Sequence, residues 1–228
     1  SPFLEKLMDL AQEFFDLFKG SDIAHGTFIV NTSRPGGGKK QGTAKVIKEP
    51  TTVDMWKEHL TGGTGIGIIP IRSDNHCQWG AIDIDKYDID HKELCDILHN
   101  NNIPAVVGRT KSGGAHVWVF LTESIEAIDM QRKMTELSAA LGHSGCEIFP
   151  KQSTILVERG DTGNFLNMPY HAGDKTTRYA FDEKGITMLT TAFIEYAKKH
   201  RITPKEFMKL QFSFGVKEGV LEEGPPCL

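Results

Sequence analysis

Several things are scarce in this chain. No stretch approaches the roughly 18–20 uninterrupted apolar residues of a membrane span, and no basic-then-apolar leader opens it. A membrane segment and a secretory signal are therefore not expected. The start at Ser1-Pro2 in place of Met leads us to expect a processed chain or an excised piece. Cysteine is rare: Cys77, Cys95, Cys146 and Cys227 are scattered, with no C-x-x-C pair. That fits reduced thiols in a cytoplasmic setting better than a disulfide framework. His76/Cys77 and His143/Cys146 are two local pairs that a Cys2His2 zinc site could draw on, but zinc sites usually use paired short spacings, so separate thiols and surface histidines are the plainer reading. Positive charge is not in excess: Lys plus Arg number 26, Asp plus Glu 30, and the net charge is −4. A protein that grips nucleic acid by bulk positive charge is thereby excluded, although a local basic groove is not. Internal repeats and low-complexity segments are also missing. What remains is ordinary globular usage, 39% hydrophobic and 25% charged over 228 residues. This suffices for one large domain or two closely packed small ones.

Periodicity predicts an amphipathic helix over 3–19, where Phe3, Leu4, Leu7, Met8, Ala11, Phe14, Phe15 and Phe18 recur at helical spacing. A strand over 27–30, an exposed loop over 31–43, a helix over 53–59 and buried strands over 65–71 and 78–85 follow. Asp90 with Glu93 three residues on marks the start of a helix over 90–100. Strands over 105–110 and 116–121 flank a turn at 111–114. A helix is expected over 125–141, capped by Ser124 and ended by Gly142. Short strands over 146–149, 155–158, 165–169 and 177–181 precede a helix over 188–200. Strands outnumber helices without strict alternation, which predicts an α+β fold on a central sheet with helices covering one face. The folded body is expected over 1–203, with 204–228 a tail or linker.

The chemistry concentrates in three blocks. In Trp79-Gly80-Ala81-Ile82-Asp83-Ile84-Asp85, alternation along a strand puts Asp83 and Asp85 on one side and Ile82 and Ile84 behind. Two such carboxylates repel unless cations sit between them, and hard divalent ions are natural partners. The plain alternative is a pair of acids at a solvent-exposed strand end. In Arg109-Thr110-Lys111-Ser112-Gly113-Gly114-Ala115-His116, two cations, a hydroxyl, a Gly-Gly turn and a histidine come together, the donors a triphosphate needs. A hairpin turn and a core histidine would account for each feature alone. Third, Glu147 lies in the apolar run Cys146-Glu147-Ile148-Phe149, as a further metal ligand or an edge-strand acid. Two tempting signals fail. Gly36-Gly37-Gly38-Lys39-Lys40 breaks the G-x-x-x-x-G-K-[ST] phosphate loop, and the run from Gly62 to Gly67 has Ile68 where G-x-G-x-x-G needs glycine.

In this order the blocks resemble the archaeo-eukaryotic primase superfamily, in its prokaryotic, phage and mobile-element primase-polymerase branch that includes the primases of TOTE conflict systems. The resemblance runs from about Gly20 to His200. Its motifs here are Asp83-Ile84-Asp85, Ser112-Gly113-Gly114-Ala115-His116 and Glu147. Phe149-Pro150-Lys151-Gln152 and Asn164-Phe165-Leu166-Asn167-Met168-Pro169 are flanks similar to that branch. The wider family often has Ser two residues before the His; here Gly114 stands there, with Ser112 four before. The resemblance implies a small αβ module packed on an RRM-like module, with the active site in the cleft between them. It implies a primase-polymerase that makes primers or longer strands on a single-stranded DNA template from NTPs or dNTPs, in a bacterial, archaeal or phage-infected cell. Asp83, Asp85 and Glu147 would hold two Mg2+ or Mn2+ ions. His116, Lys111, Ser112 and the Gly113 and Gly114 amides would hold the triphosphate, joined by Arg109 and Asn167. A helicase or primer-handling domain in a longer parent protein is a further implied partner.

Two other classes remain open at this point. A non-catalytic RRM-like binder would need exposed sheet aromatics, whereas Trp79, Trp118 and Phe120 fall in strands expected to be buried. An untemplated nucleotidyltransferase or nuclease would use the same carboxylates. Lys39, Lys40, Lys45, Lys48, Lys151, Arg159 and Arg178 are candidates for template phosphate contacts, each individually more typical of a solvated charge. His171 is a further guess by position.

Overall fold

A computed structural model describes residues 1–30 and 42–214. The phosphate-loop look-alike with Lys39 and Lys40 lies outside them, as does the end of the chain from 215. Two antiparallel sheets stand where one central sheet was expected. The smaller contains β1 (His25–Val30), β2 (Gly42–Ile47), β3 (Gly65–Ile68) and β8 (Leu166–Asn167), in the order β2-β1-β3-β8. The larger contains β4 (His76–Ile84), β5 (Ala105–Arg109), β6 (Ala115–Glu126), β7 (Glu147–Phe149) and β9 (Ala180–Phe181), in the order β7-β4-β6-β5-β9. The helices are α1 (Pro2–Leu17), α2 (Val53–Leu60), α3 (His91–Asn100), α4 (Ala127–Ala140), α5 (Thr190–Lys199) and α6 (Pro204–Lys209). Mixed helix and antiparallel sheet agrees with the α+β expectation.

Strand alternation sorts the larger sheet into two faces. Ile82, Ile84, Val117 and Val119 point to one side, where they bury against Leu94 and Leu98 of α3 and Met130, Met134 and Leu137 of α4. Trp79, Ala81, Trp118 and Phe120 point to the other. There they meet Phe14 of α1, Trp56 of α2, Phe193 of α5, and Ile66, Ile68 and Leu166 of the smaller sheet. Helices thus cover both faces of the larger sheet, not one. The second core is dense in rings; Phe18 makes edge contacts with Trp79, Trp118 and Phe120 at centroid distances of 5.6, 5.8 and 5.3 Å. Such pairs contribute about 0.5–1.5 kcal/mol each beyond area burial.

Other differences have local causes. Ser124 caps no helix, because β6 continues to Glu126 through pairing of Cys77 with Ile125 and His76 with Glu126. Residues 157–159 form a 3-10 turn where a strand was expected over 155–158. β2 was hidden within and after the expected loop; its middle residues are exposed, so it carries no hydrophobic alternation to read. Residues 204–209, expected to begin the tail, form α6, capped by Thr203 and with Phe207 fully buried against the α3–α4 side of the core.

Candidate active site

One pairing row across the larger sheet carries the predicted chemistry. Asp83 pairs in register with Glu147 of β7 on one side and with His116 of β6 on the other, and His116 pairs with Gly108 of β5. Residues in register point to the same face, so Glu147, Asp83 and His116 form a polar line on the ring-rich side. The next row inward is Phe149, Ala81, Trp118 and Val106. The polar line therefore borders an aromatic core that holds it in place. A Cβ at Gly108 would collide with the Trp118 ring, so glycine there makes room for that ring. Asp85, two residues beyond Asp83, extends the line past the strand end.

These side chains line a cleft of about 690 Å3. Asp83, Asp85, His116 and Glu147 meet Arg109, Lys111 and Ser112 from the β5–β6 turn, Asn167 from β8 of the smaller sheet and Arg178 from the segment just before β9. Eight of the ten predicted site residues are thus brought together. Gly113 and Gly114 stand behind them. The Gly113 N–H donates to Thr110 O (3.0 Å) at a φ of +90°. A Cβ at Gly114 would collide with the Ile84 carbonyl. Both glycines shape the turn.

The groups in the cleft are mutually engaged. His116 Nε2 lies 3.3 Å from Asp83 Oδ1, and Lys151 Nζ donates to Glu147 Oε1 at 2.7 Å. Arg109 Nη1 donates to Thr177 O at 3.0 Å, tying the turn to the segment before β9. Lys111 Nζ sits 4.6 Å from the centre of the Phe28 ring, bridging from the larger sheet to the smaller. Arg178 differs. It is half-buried, burial lowers its pKa from the usual arginine value, and among the described residues its guanidinium makes no ion pair or hydrogen bond. An arginine held this way is poised for an incoming anion.

Hard oxygen donors from three carboxylates in one cleft fit Mg2+ or Mn2+ by ligand type. Among the described residues no three His, Cys, Asp or Glu side chains converge on one point. Lys151 occupies Glu147 and His116 occupies Asp83 in this arrangement. Of the zinc alternative's residues, Cys77 is buried, its thiol pushed up to about 12 by burial, and among the described residues no cluster forms around it.

The other cations divide. Arg159 pairs with Asp161 at 2.6 Å, Lys151 with Glu147, and His171 Nε2 is tied to Gly63 O at 2.6 Å. Tyr87, missed from the sequence, stands at the cleft mouth and is 84% exposed. The signal available was an aromatic two residues past Asp85, in a loop.

Comparison with known proteins adds a family. The model of the TOTE conflict system archaeo-eukaryotic primase domain matches residues 32–208. No curated protein sequence matches. Among solved structures, the archaeo-eukaryotic primase domain of the cyanophage S-2L primase-polymerase is similar at 11% identity and a TM-score of 0.43, over 83% of this chain and 97% of that one. Primase RepB′ is similar at 11% identity and 0.39, over 85% and 62%. The catalytic domain of primase RepB′ in complex with initiator DNA is similar at 10% and 0.39, over 85% and 94%. No helix among the described residues is long and apolar enough to cross a membrane.

Proposed function

Because this chain belongs to the archaeo-eukaryotic primase family of TOTE conflict systems, we propose that it is a nucleotidyltransferase that extends or initiates strands on a single-stranded DNA template from nucleoside triphosphates. The observation that carries this reading is the polar line Glu147–Asp83–His116, which shares one cleft with Lys111, Ser112 and Arg178. Acids and cations lining one cleft suit a triphosphate that arrives with divalent ions.

Asp83, Asp85 and Glu147 would hold two Mg2+ or Mn2+ ions. Those ions, when bound, supply activation of the attacking 3′-hydroxyl and charge neutralisation of the triphosphate and leaving pyrophosphate. Before that, Lys151 pairs with Glu147 and His116 with Asp83. As the nucleotide enters, His116 turns from Asp83 to a phosphate oxygen. Lys111 and Arg109 reach the same phosphates from the turn, the Ser112 hydroxyl donates, and Arg178 adds its bidentate fork from the segment before β9. Trp118 and Phe149, beneath the polar line, exclude water from the reacting end. The catalytic unit in this reading runs from the N-terminus through α6.

The test is a primer-extension and de novo synthesis assay with NTPs and dNTPs in Mg2+ and in Mn2+. We expect metal-dependent incorporation directed by the template, and a loss of at least about a hundredfold in Asp83→Asn, since metal stabilisation of the transition state amounts to several kcal/mol. Undiminished incorporation by Asp83→Asn, or none by the intact chain, would overturn the proposal. Incorporation that ignores the template would instead identify an untemplated transferase.

A further inference from the structure

Behind the β5–β6 turn stands a histidine to which the proposed reaction gives no part. His91 is the first residue of α3, the helix packed on the face of the larger sheet opposite the ring-rich side. Its Nε2–H donates to Gly114 O at 2.9 Å; facing a carbonyl, that nitrogen carries the proton. The same carbonyl accepts from the Thr110 N–H at 3.0 Å. The His91 ring also lies over the Phe181 ring, with centroids 4.9 Å apart and planes 23° from parallel. Phe181 belongs to β9, which pairs with β5, and Arg178 stands three residues before it. One half-buried side chain therefore touches both segments that bring cations to the cleft: the turn of Lys111 and Ser112, and the strand that follows Arg178.

We infer that His91 is a positioning residue of the triphosphate site: from behind the sheet it clamps the Gly114 end of the turn to β9, so that Lys111, Ser112 and Arg178 meet one set of phosphates already in place. The inference rests on the proposed nucleotidyl transfer and concerns how that site is held. The turn needs such a clamp. Gly113 takes a φ of +90°, and two successive glycines make this the loosest backbone around the cleft. Gly114 cannot be exchanged for a stiffer residue, because a Cβ there would collide with the Ile84 carbonyl. Ser112 is exposed, so packing does not order it. The stiffness that a side chain would supply has to come from outside, and His91 is the side chain that reaches in. A binding loop ordered beforehand gains affinity, since the ligand no longer bears the cost of ordering it. His91 itself lies on the other side of the sheet from the polar line and acts only through the turn.

The experiment measures binding of a non-hydrolysable nucleoside triphosphate with Mn2+ to the full chain by titration calorimetry. His91→Phe keeps a ring over Phe181 but loses the donor. It should weaken binding about fivefold, equivalent to about 1 kcal/mol, the net contribution of one hydrogen bond. His91→Gln forgoes the ring but carries an amide N–H that reaches the same carbonyl, and should bind within about twofold of the unaltered chain. In primer extension, His91→Phe should raise KM by a similar factor with kcat nearly unchanged, because the turn holds the phosphates alike before and during reaction. Amide hydrogen exchange over 111–115, measured without ligand, should quicken in His91→Phe and not in His91→Gln. If the ring packing were what mattered, the two variants would rank in the reverse order. The inference is overturned if His91→Phe binds the triphosphate as the unaltered chain does, if His91→Gln is the weaker of the two, or if exchange over the turn does not change. An unaltered chain that binds no triphosphate would overturn the proposed function instead, and the exchange comparison would then decide the clamp on its own.

Discussion

His59 holds one wall of the cleft from behind. It is fully buried; its Nδ1 accepts from the Ile66 N–H at 3.1 Å, and its Nε2–H donates to Pro169 O at 2.8 Å. These two bonds fix the neutral tautomer and pin α2 to β3 and to the segment that carries Asn167. Burial pushes its pKa down to about 3, with the nearby Arg178 and His171 charges acting in the same direction. In the unfolded chain the same ring titrates at its ordinary value of 6.5. Between those values the unfolded chain binds the proton and the folded chain does not, so stability falls as pH drops from 6.5 toward 3, by at most about 1.4 kcal/mol per pH unit. Thermal melts from pH 7 to pH 5 should show this loss. His59→Gln should be less stable at pH 7 yet less sensitive to acid across that range. If the variant keeps the full acid slope, His59 is not its source. Nothing in the sequence marks His59, because its partners are a strand amide and a carbonyl 110 residues away. Asp83 and Asp85 were legible for the opposite reason: a period of two is a local rule, and an apolar strand ending in two acids states its faces on its own. The same rule separates Phe28 from Lys45, but only once β1 and β2 are known to pair.

At the scale of elements, α6 shows where local signals fail. Its six residues carry too little periodicity to stand out. Phe207 is nevertheless fully buried, the α6 segment lies along β6, and Lys133 donates to Leu210 O at 2.5 Å. Leu121 bridges Ile202, which brings the chain onto β6 just before the helix starts. Large-to-small substitution at such a site costs about 3–5 kcal/mol. Phe207→Ala should therefore lose that much in denaturant unfolding, and a chain ended at 203 should be still less stable; a loss below about 1 kcal/mol would show that α6 is an accessory to the body. The long helices and central strands were legible because their apolar faces repeat over two turns or more, as in α1, or continue unbroken, as in β6. The end of β6 was not, because Thr122, Glu123 and Ser124 are exposed and polar, and only the pairing of β4 with Ile125 and Glu126 extends the strand. The two-sheet arrangement was hidden for a related reason: β8 has two residues and β2 is exposed.

Over the whole molecule, the net charge of −4 conceals a polar arrangement. Three acids line the cleft, together with Lys111 and Arg109 at the β5–β6 turn and Arg178 just before β9. Two divalent ions on the acids would bring +4, enough to cancel the formal charge. The chain alone should therefore hold a single strand weakly, and divalent metal with nucleotide should strengthen it by removing repulsion from Asp83, Asp85 and Glu147. Of the candidate phosphate contacts among the described residues, Lys151 and Arg159 are paired within the chain. With about three phosphates contacted, the logarithm of the binding constant should fall against the logarithm of salt concentration with a slope near −2, at about −0.7 per phosphate for single strands. Titrations between 50 and 200 mM salt, with and without Mn2+ and a non-hydrolysable triphosphate, measure both quantities. A slope steeper than about −5 would mean that binding spreads over a far larger basic surface than the cleft provides. A slope near zero would remove the phosphate contacts altogether.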